Sequence, residues 1–481
     1  MKHMGFVKQV GLVKEIAAMT SFLRPALTAI LLLVSPLAFA QTQADAPAPL
    51  PASPPAKAAA VQRVVSPGGI EAWLLTDRSL PILAVSMSFP GGTAQDEPAR
   101  EGATDLMAEL LTEGAGDFDA EAFRARLEDL ASGISVSAGR DSINVSFRTL
   151  TRYREDALAL LRLALVRPRF DEDALKRAKE RQLSALARAA TSPGEIARDL
   201  WWKVAFAGHP YGRSGDGTEA SIAATSRDDL REAWRRQIAR GGVKIGVVGD
   251  IDGAALAPLL DALLGELPAT AELTPVPPVV AAGAGEVLVV ERRQNQSVVV
   301  FGSPGIKRSD PDFEAAHLVN YIVGGGGFSA RLMREVREKA GLAYSVSTGL
   351  GTLDATGVLQ GNVGTANGAV ARSIDLIRRE MGRVAEEGPT EAELEDAKGS
   401  VIDSFALNLD STGRIASFLV SLQRDGLGID YMETRAERFR KVTLADARRA
   451  AARLYDPAKL LFVVVGQPEN LQATRPNPGA L

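Results

Sequence analysis

The feature that most constrains this chain is that it repeats itself. Residues 71–75 and 82–89 read as two strands joined by a turn at 77–79, and Pro90-Gly91-Gly92 ends the second. The strand pair 286–291 and 296–301 repeats that arrangement, closed by Gly302-Ser303-Pro304-Gly305. A buried apolar strand at 243–249 has its counterpart at 460–466. Phe89 aligns with Phe301 at an offset of 212, and Gly249 with Gly466 at an offset of 217. Apolar periodicity predicts helices over 104–111, 120–131, 154–165, 172–190, 193–207 and 227–239 in the first half. The second half has them over 312–323, 370–386, 391–409 and 444–454. A hairpin is expected at 134–138 and 142–148, and a strand at 357–363. Similar order at a nearly constant offset predicts an α+β protein made of two duplicated α/β sandwich domains, each a sheet with helices packed on it. The expected boundaries are 61–267 and 286–470, with an interdomain linker at 268–285 rich in Pro and Ala and a tail at 471–481.

What precedes the first domain reads as a targeting segment. Residues 19–24 are a short basic stretch, 26–34 an apolar core, and Ala38-Phe39-Ala40 a cleavage site, so 1–40 is expected to be a signal peptide and the protein periplasmic. Residues 41–60 are a Pro/Ala-rich linker. No other stretch is apolar enough for a stable membrane anchor. With a net charge of −4 and no basic run, a nucleic-acid partner is not expected. Cysteine is absent, which excludes disulfides, thiolate zinc sites and cysteine nucleophiles. Of the three histidines, His3 lies in the signal segment, and His209 and His317 stand far apart as packing or surface residues. Gly246-Val247-Val248-Gly249 closes a strand without a glycine-rich helix entry, so it is no dinucleotide site.

The densest cluster of informative residues is 324–349. Gly324, Gly325, Gly326 and Gly327 allow a backbone that takes positive φ or passes close to another chain. They read either as a substrate-binding loop or as a tight entry turn to the helix that follows. Ser329 stands where an N-cap belongs, Leu332, Met333, Val336 and Ala340 recur at helical spacing, and Gly341 marks the stop. Arg337 falls at the edge of that apolar stripe, with Arg331 and Arg334 further toward solvent. Leu342, Tyr344 and Val346 then alternate as in a strand. One arginine and one tyrosine thereby come to the same end of a rigid unit.

These motifs resemble those of the pitrilysin/insulysin-type zinc metallopeptidases, the inverzincins, and most of all their two-subunit forms such as mitochondrial processing peptidase. His209-Pro210-Tyr211-Gly212 with Gly217-Thr218 is similar to the family's HPYG…GT segment, and 331–346 is similar to its second-domain signature. The resemblance covers nearly all of 61–470. It implies an H-x-x-E-H zinc motif on a helix of the first domain, where Asp105 and Glu109 replace the two histidines and Ala108 replaces the catalytic base. The further glutamate ligand would fall near residues 186–188, where Leu186 and Ala187 are apolar. No metal is therefore expected in this chain. The acidic pair reads as a solvated or salt-bridged face. Arg337 and Tyr344 match in type and spacing the pair that, in the family, binds substrate carbonyl oxygens and the charge of the transition state. The resemblance thus implies a non-catalytic, peptide-binding subunit. A sister chain with H-x-x-E-H would hold the zinc, and peptides or unfolded polypeptides would be the substrate. The alternative is an inactive scaffold or binding protein of the same fold.

Overall fold

The computed structural model describes residues 60–476. The expected signal segment 1–40, all but the last residue of the linker 41–60, and residues 477–481 of the tail lie outside the described residues.

Alternation builds two sheets. The first contains β1 (Gln62–Val65), β2 (Glu71–Thr76), β3 (Ile82–Pro90), β4 (Gly133–Ala138), β5 (Ser142–Leu150) and β6 (Lys244–Gly249) in the order β1-β2-β6-β3-β5-β4. The second contains β7 (Val287–Glu291), β8 (Gln296–Pro304), β9 (Ala343–Thr352), β10 (Gly357–Ala366) and β11 (Leu461–Gly466) in the order β7-β11-β8-β10-β9. With β1 set aside, the two orders correspond strand for strand, and the parallel pairings β2–β6 and β7–β11 correspond as well. Gly249 and Gly466 close equivalent strands at φ of 140° and 154°, where a side chain would be strained. The duplication inferred from the landmarks is the architecture.

In β3, Leu83, Val85, Met87 and Phe89 enter the first core, while Ser86 and Ser88 take the other face. The helices of the first half are α1 (Ala103–Leu110), α2 (Ala120–Asp129), α3 (Arg154–Val166), α4 (Glu172–Ala189), α5 (Pro193–Ala205), α6 (Glu219–Ala224), α7 (Arg227–Gln237) and α8 (Gly253–Leu264). Those of the second are α9 (Phe313–Asn320), α10 (Val370–Glu387), α11 (Glu391–Asp403), α12 (Thr412–Arg424), α13 (Tyr431–Arg440) and α14 (Leu444–Leu454). Several differ from the expected spans. β8 runs through Gly302 and Ser303 to Pro304, because β10 pairs with it along that whole length. The helix expected over 391–409 ends at Asp403, and 404–409 tightens into a 3₁₀ turn. The helix expected over 312–323 stops at Asn320 and widens into a π turn over Tyr321–Gly325.

The halves are tied by an exchange of equivalent helices. Helix α5, from the first half, packs on β8 and β11 of the second sheet, and α12, from the second half, packs on β3 and β6 of the first. Glycines make both approaches possible. A Cβ at Gly302 would lie 2.5 Å from Trp201 Cζ2, and one at Gly246 would lie 3.0 Å from Leu419 Cβ. The described residues accordingly form one compact unit.

The HPYG segment fastens the same seam. Tyr211 Oη donates to Asp141 Oδ1 at 2.5 Å and accepts from the Ala355 amide at 3.0 Å. His209 Nδ1 accepts from the Tyr211 amide, which leaves Nε2 to donate to the Pro277 carbonyl in the linker at 2.9 Å. Tyr211→Phe removes one bond from a buried carboxylate and one acceptor from a buried amide. It is expected to cost about 1–3 kcal/mol in urea unfolding.

Candidate functional site

The site is assembled from the turn after α9, the helix that follows it and the start of β9. Gly324 is buried against β9, where a Cβ would collide with the Thr348 side chain and lie 2.7 Å from its amide nitrogen. Gly327 takes φ of +62°. Both positions therefore require glycine for local geometry, which favours the entry-turn reading of the loop. Ser329 does not cap the helix. Its hydroxyl donates to the Gly326 carbonyl, and the first helical amide, that of Arg334, bonds to the Ala330 carbonyl. Leu332, Met333 and Val336 are buried as the spacing predicts, and the helix over Met333–Lys339 is wound as a π-helix. Gly341, at φ of +63°, ends it.

Arg331 departs from expectation. It is 5% exposed and forks onto Glu393 at 2.8 and 2.5 Å, with Glu380 at 3.8 Å and the Gly388 carbonyl at 3.3 Å. Its partners lie on and around α10 and α11, beyond the reach of helical periodicity.

Arg337 is half-buried, and its guanidinium lies over two aromatic rings, 4.7 Å from the Phe328 centroid and 4.9 Å from that of Tyr344. It has no carboxylate partner among the described residues. The nearby Glu335 is held instead by Lys339 at 2.9 Å. Stacking fixes the plane of the guanidinium and leaves its edge N–H donors free. Tyr344 is 82% exposed and Phe328 68%. Tyr344 would face the core by simple alternation with Leu342 and Val346, but β9 carries a bulge there. Val346 pairs with Val363 and Ala343 with Thr365, so Tyr344 and Ser345 together oppose Gly364. The extra residue turns the phenol outward beside Arg337. Phe328 was not singled out from the sequence; the available signal was an aromatic residue after the glycine run without a helical apolar partner.

The degenerate zinc positions lie on α1, whose neighbours include α4, α7 and β4. Ala108 is buried and offers no ligand atom. Glu109 Oε1 is taken by the Arg181 fork, at 2.8 Å from Nε and 2.6 Å from Nη2. Nothing in the sequence separates Arg181 from Arg177 or Lys179 on the same helix. Leu186 lines a cleft of about 360 Å³ with Gln182 and Asp216. Zinc requires converging N, S or O ligands. No group of three candidate ligands converges among the described residues, so the side chains present do not fit the metal. Asp105 is not solvated as expected. Burial first, then the charges of Asp216, Glu109 and Asp96, push its carboxyl up to about 7. A carboxyl raised in the folded state loses stability as pH climbs from the ordinary 3.8 to about 7. Asp105→Asn is therefore expected to leave stability at pH 4 nearly unchanged, to raise it at pH 8, and to flatten the profile between.

Residues 74–219 match the family model "Insulinase (Peptidase family M16)", and residues 224–401 match "Peptidase M16 inactive domain". The chain belongs to peptidase family M16. Among M16 relatives, the "Non-peptidase homolog YmxG" of Helicobacter pylori is 24% identical over 368 residues, 76% of this chain and 85% of that one. An "Uncharacterized zinc protease" of Streptomyces coelicolor is 25% identical over 424 residues, 86% of this chain and 91% of that one. The crystal structure of a peptidase M16 inactive domain from Pseudomonas fluorescens superposes with a TM-score of 0.80 at 28% identity, covering 86% of this chain and 99% of that one. A protease structure from Helicobacter pylori shares the fold, with a TM-score of 0.76 at 17% identity over 84% of this chain and 99% of that one. Within family M16 this is a non-catalytic chain.

Proposed function

We propose that this M16 chain is the peptide-binding, non-catalytic subunit of a two-chain zinc peptidase exported to the periplasm. It would lend Arg337 and Tyr344 to a metal site on a sister chain with an intact H-x-x-E-H motif. The observation that carries this reading is the unpaired guanidinium of Arg337, braced by Phe328 and Tyr344 at an exposed edge. Arg331, six positions earlier, is by contrast held by a carboxylate, that of Glu393.

In this reading the sister's zinc supplies the Lewis acid and the activated water. Arg337 donates to the substrate carbonyl oxygen and gains interaction energy as negative charge builds there. Tyr344 adds a neutral O–H donor. Because both groups are placed before substrate arrives, little reorganisation opposes the step. The test is reconstitution with a sister chain that carries an intact H-x-x-E-H motif. Each chain alone should be nearly inactive on a fluorogenic peptide, and the mixture active at one-to-one stoichiometry. A stable complex without peptide hydrolysis would point instead to a scaffold.

A further inference from the structure

A cavity of about 900 Å³ lies away from Arg337, where the first sheet faces α9, α11, α12 and α13 of the second half. Phe405, Leu409, Phe418 and Ile134 give it apolar walls. Hydroxyls are set into them. Ser86, Ser146 and Ser135 are register partners across β3, β5 and β4 and form a polar row along one side. Ser417 reaches the row from α12, 3.2 Å from Ser86 Oγ.

The charges in the lining are all of one sign. It contains Arg148, Arg414 and Arg435 and no carboxylate. Arg414 is paired with Asp410 at 3.2 Å, outside the cavity. Arg435 has no such partner. It is half-buried, stacked 4.2 Å from the Phe405 centroid and 4.5 Å from that of Phe439, and its one hydrogen bond among the described residues goes to the Val401 carbonyl. His317 packs on the same Phe439 ring at 5.6 Å. It makes no hydrogen bond among the described residues, and burial and the nearby Arg435 and Arg308 cations push its imidazole down to about 4. It is therefore neutral, with one ring N–H to donate. The carboxylate that acts on Arg435 is that of Glu314, which is itself paired with Arg308 at 3.4 Å. A partly desolvated cation with no carboxylate in contact, beside an unused N–H, is costly unless an anion completes it.

We propose that this cavity binds the C-terminal end of an apolar peptide, with its carboxylate held by Arg435 and His317. The inference rests on the reading of the chain as a peptide-binding subunit and adds a second anchor, separate from the Arg337 edge. The serine row favours a peptide over a fatty acid, because a hydrocarbon chain offers nothing to hydroxyls spaced along its path whereas amide groups do. Charge-assisted hydrogen bonds to a free carboxylate supply the discrimination.

The test measures binding to the isolated chain by fluorescence anisotropy. The probe is a short fluorescein-labelled peptide of alternating leucine and alanine, prepared as the free acid and as the C-terminal amide. The acid is expected to bind at least about tenfold more tightly than the amide. Arg435→Met should abolish that preference, Arg435→Lys should keep part of it, and Arg337→Ala should leave it unchanged. The acid–amide comparison uses the unaltered chain, so it decides the matter even if Arg435→Met does not fold. Equal affinity for acid and amide, or no binding of either, overturns the proposal. Displacement of the peptide by oleate that binds more tightly also overturns it and assigns the cavity to fatty acids. If Arg337→Ala leaves turnover by the two-chain enzyme intact, the proposed function fails while an acid preference here still stands.

Discussion

Arg337→Ala in the reconstituted pair is expected to lower kcat about 10²–10³-fold with a much smaller change in KM. The split follows from the geometry. The guanidinium has no ion pair to lose, so its removal leaves no buried charge behind. What disappears is a set of preorganised donors whose interaction strengthens only as charge develops on the substrate oxygen. Arg337→Lys keeps the charge but loses the planar fork that lies over Phe328 and Tyr344, and it should recover only part of the rate. Phe328→Leu should fall between wild type and Arg337→Ala, because it frees the guanidinium to move without removing it. Co-elution of the two chains should be unaffected by all three substitutions, which separates a catalytic loss from a loss of assembly.

Arg331→Met is expected to destabilise the chain by about 3–5 kcal/mol in urea unfolding, although Arg331 lies only six positions before Arg337. Its removal leaves half-buried Glu393 without its principal cation and takes a second cation from buried Glu380, which Arg383 still holds at 2.8 Å. Glu393 also closes the N-terminus of α11 by accepting from the Thr390 amide and hydroxyl at 2.9 and 3.0 Å, so the loss extends to that cap. The pH dependence follows from the same contact. The Arg331 hydrogen bonds are the largest influence holding the Glu393 carboxyl down at about 2, against an ordinary 4.5. A carboxyl depressed in the folded state contributes stability above its unfolded value, and that contribution is lost as pH falls from 4.5 toward 2. Arg331→Met should therefore be destabilised most at neutral pH and show a shallower acid limb than wild type.

The contrast between Arg331 and Arg337 marks what can be read from a linear chain. Helical periodicity placed Leu332, Met333 and Val336 in the core correctly, because burial of a helix face depends on spacing alone. It could not assign Arg331, whose partner is 62 residues away on a different helix. Tyr344 was legible as a residue type and as part of a strand, but its outward turn was not, since a bulge exists only between two paired strands and its signal is the register against Gly364. The duplication of the sheets was legible because strands such as 82–89 and 296–301 write their period into adjacent residues. Helix α12 was missed although Ile415, Phe418, Leu419 and Leu422 recur at helical spacing behind Ser411, which accepts from the Arg414 amide. Gly413 obscured the start, and the face that α12 buries belongs to the sheet of the other half. The replacement of the H-x-x-E-H residues was visible at Asp105, Ala108 and Glu109, whereas the Arg181 fork onto Glu109 was not.

At the centre of this account is a division of labour, in which the chain retains the donors of the reaction and has surrendered its metal. Zinc stoichiometry of the purified chain, after incubation with zinc and dialysis, tests that most directly when read beside peptide hydrolysis by the same sample. The account predicts no retained equivalent and no hydrolysis until the sister chain is added. One tightly held zinc per chain, with peptide cleavage in the absence of a partner, would contradict it.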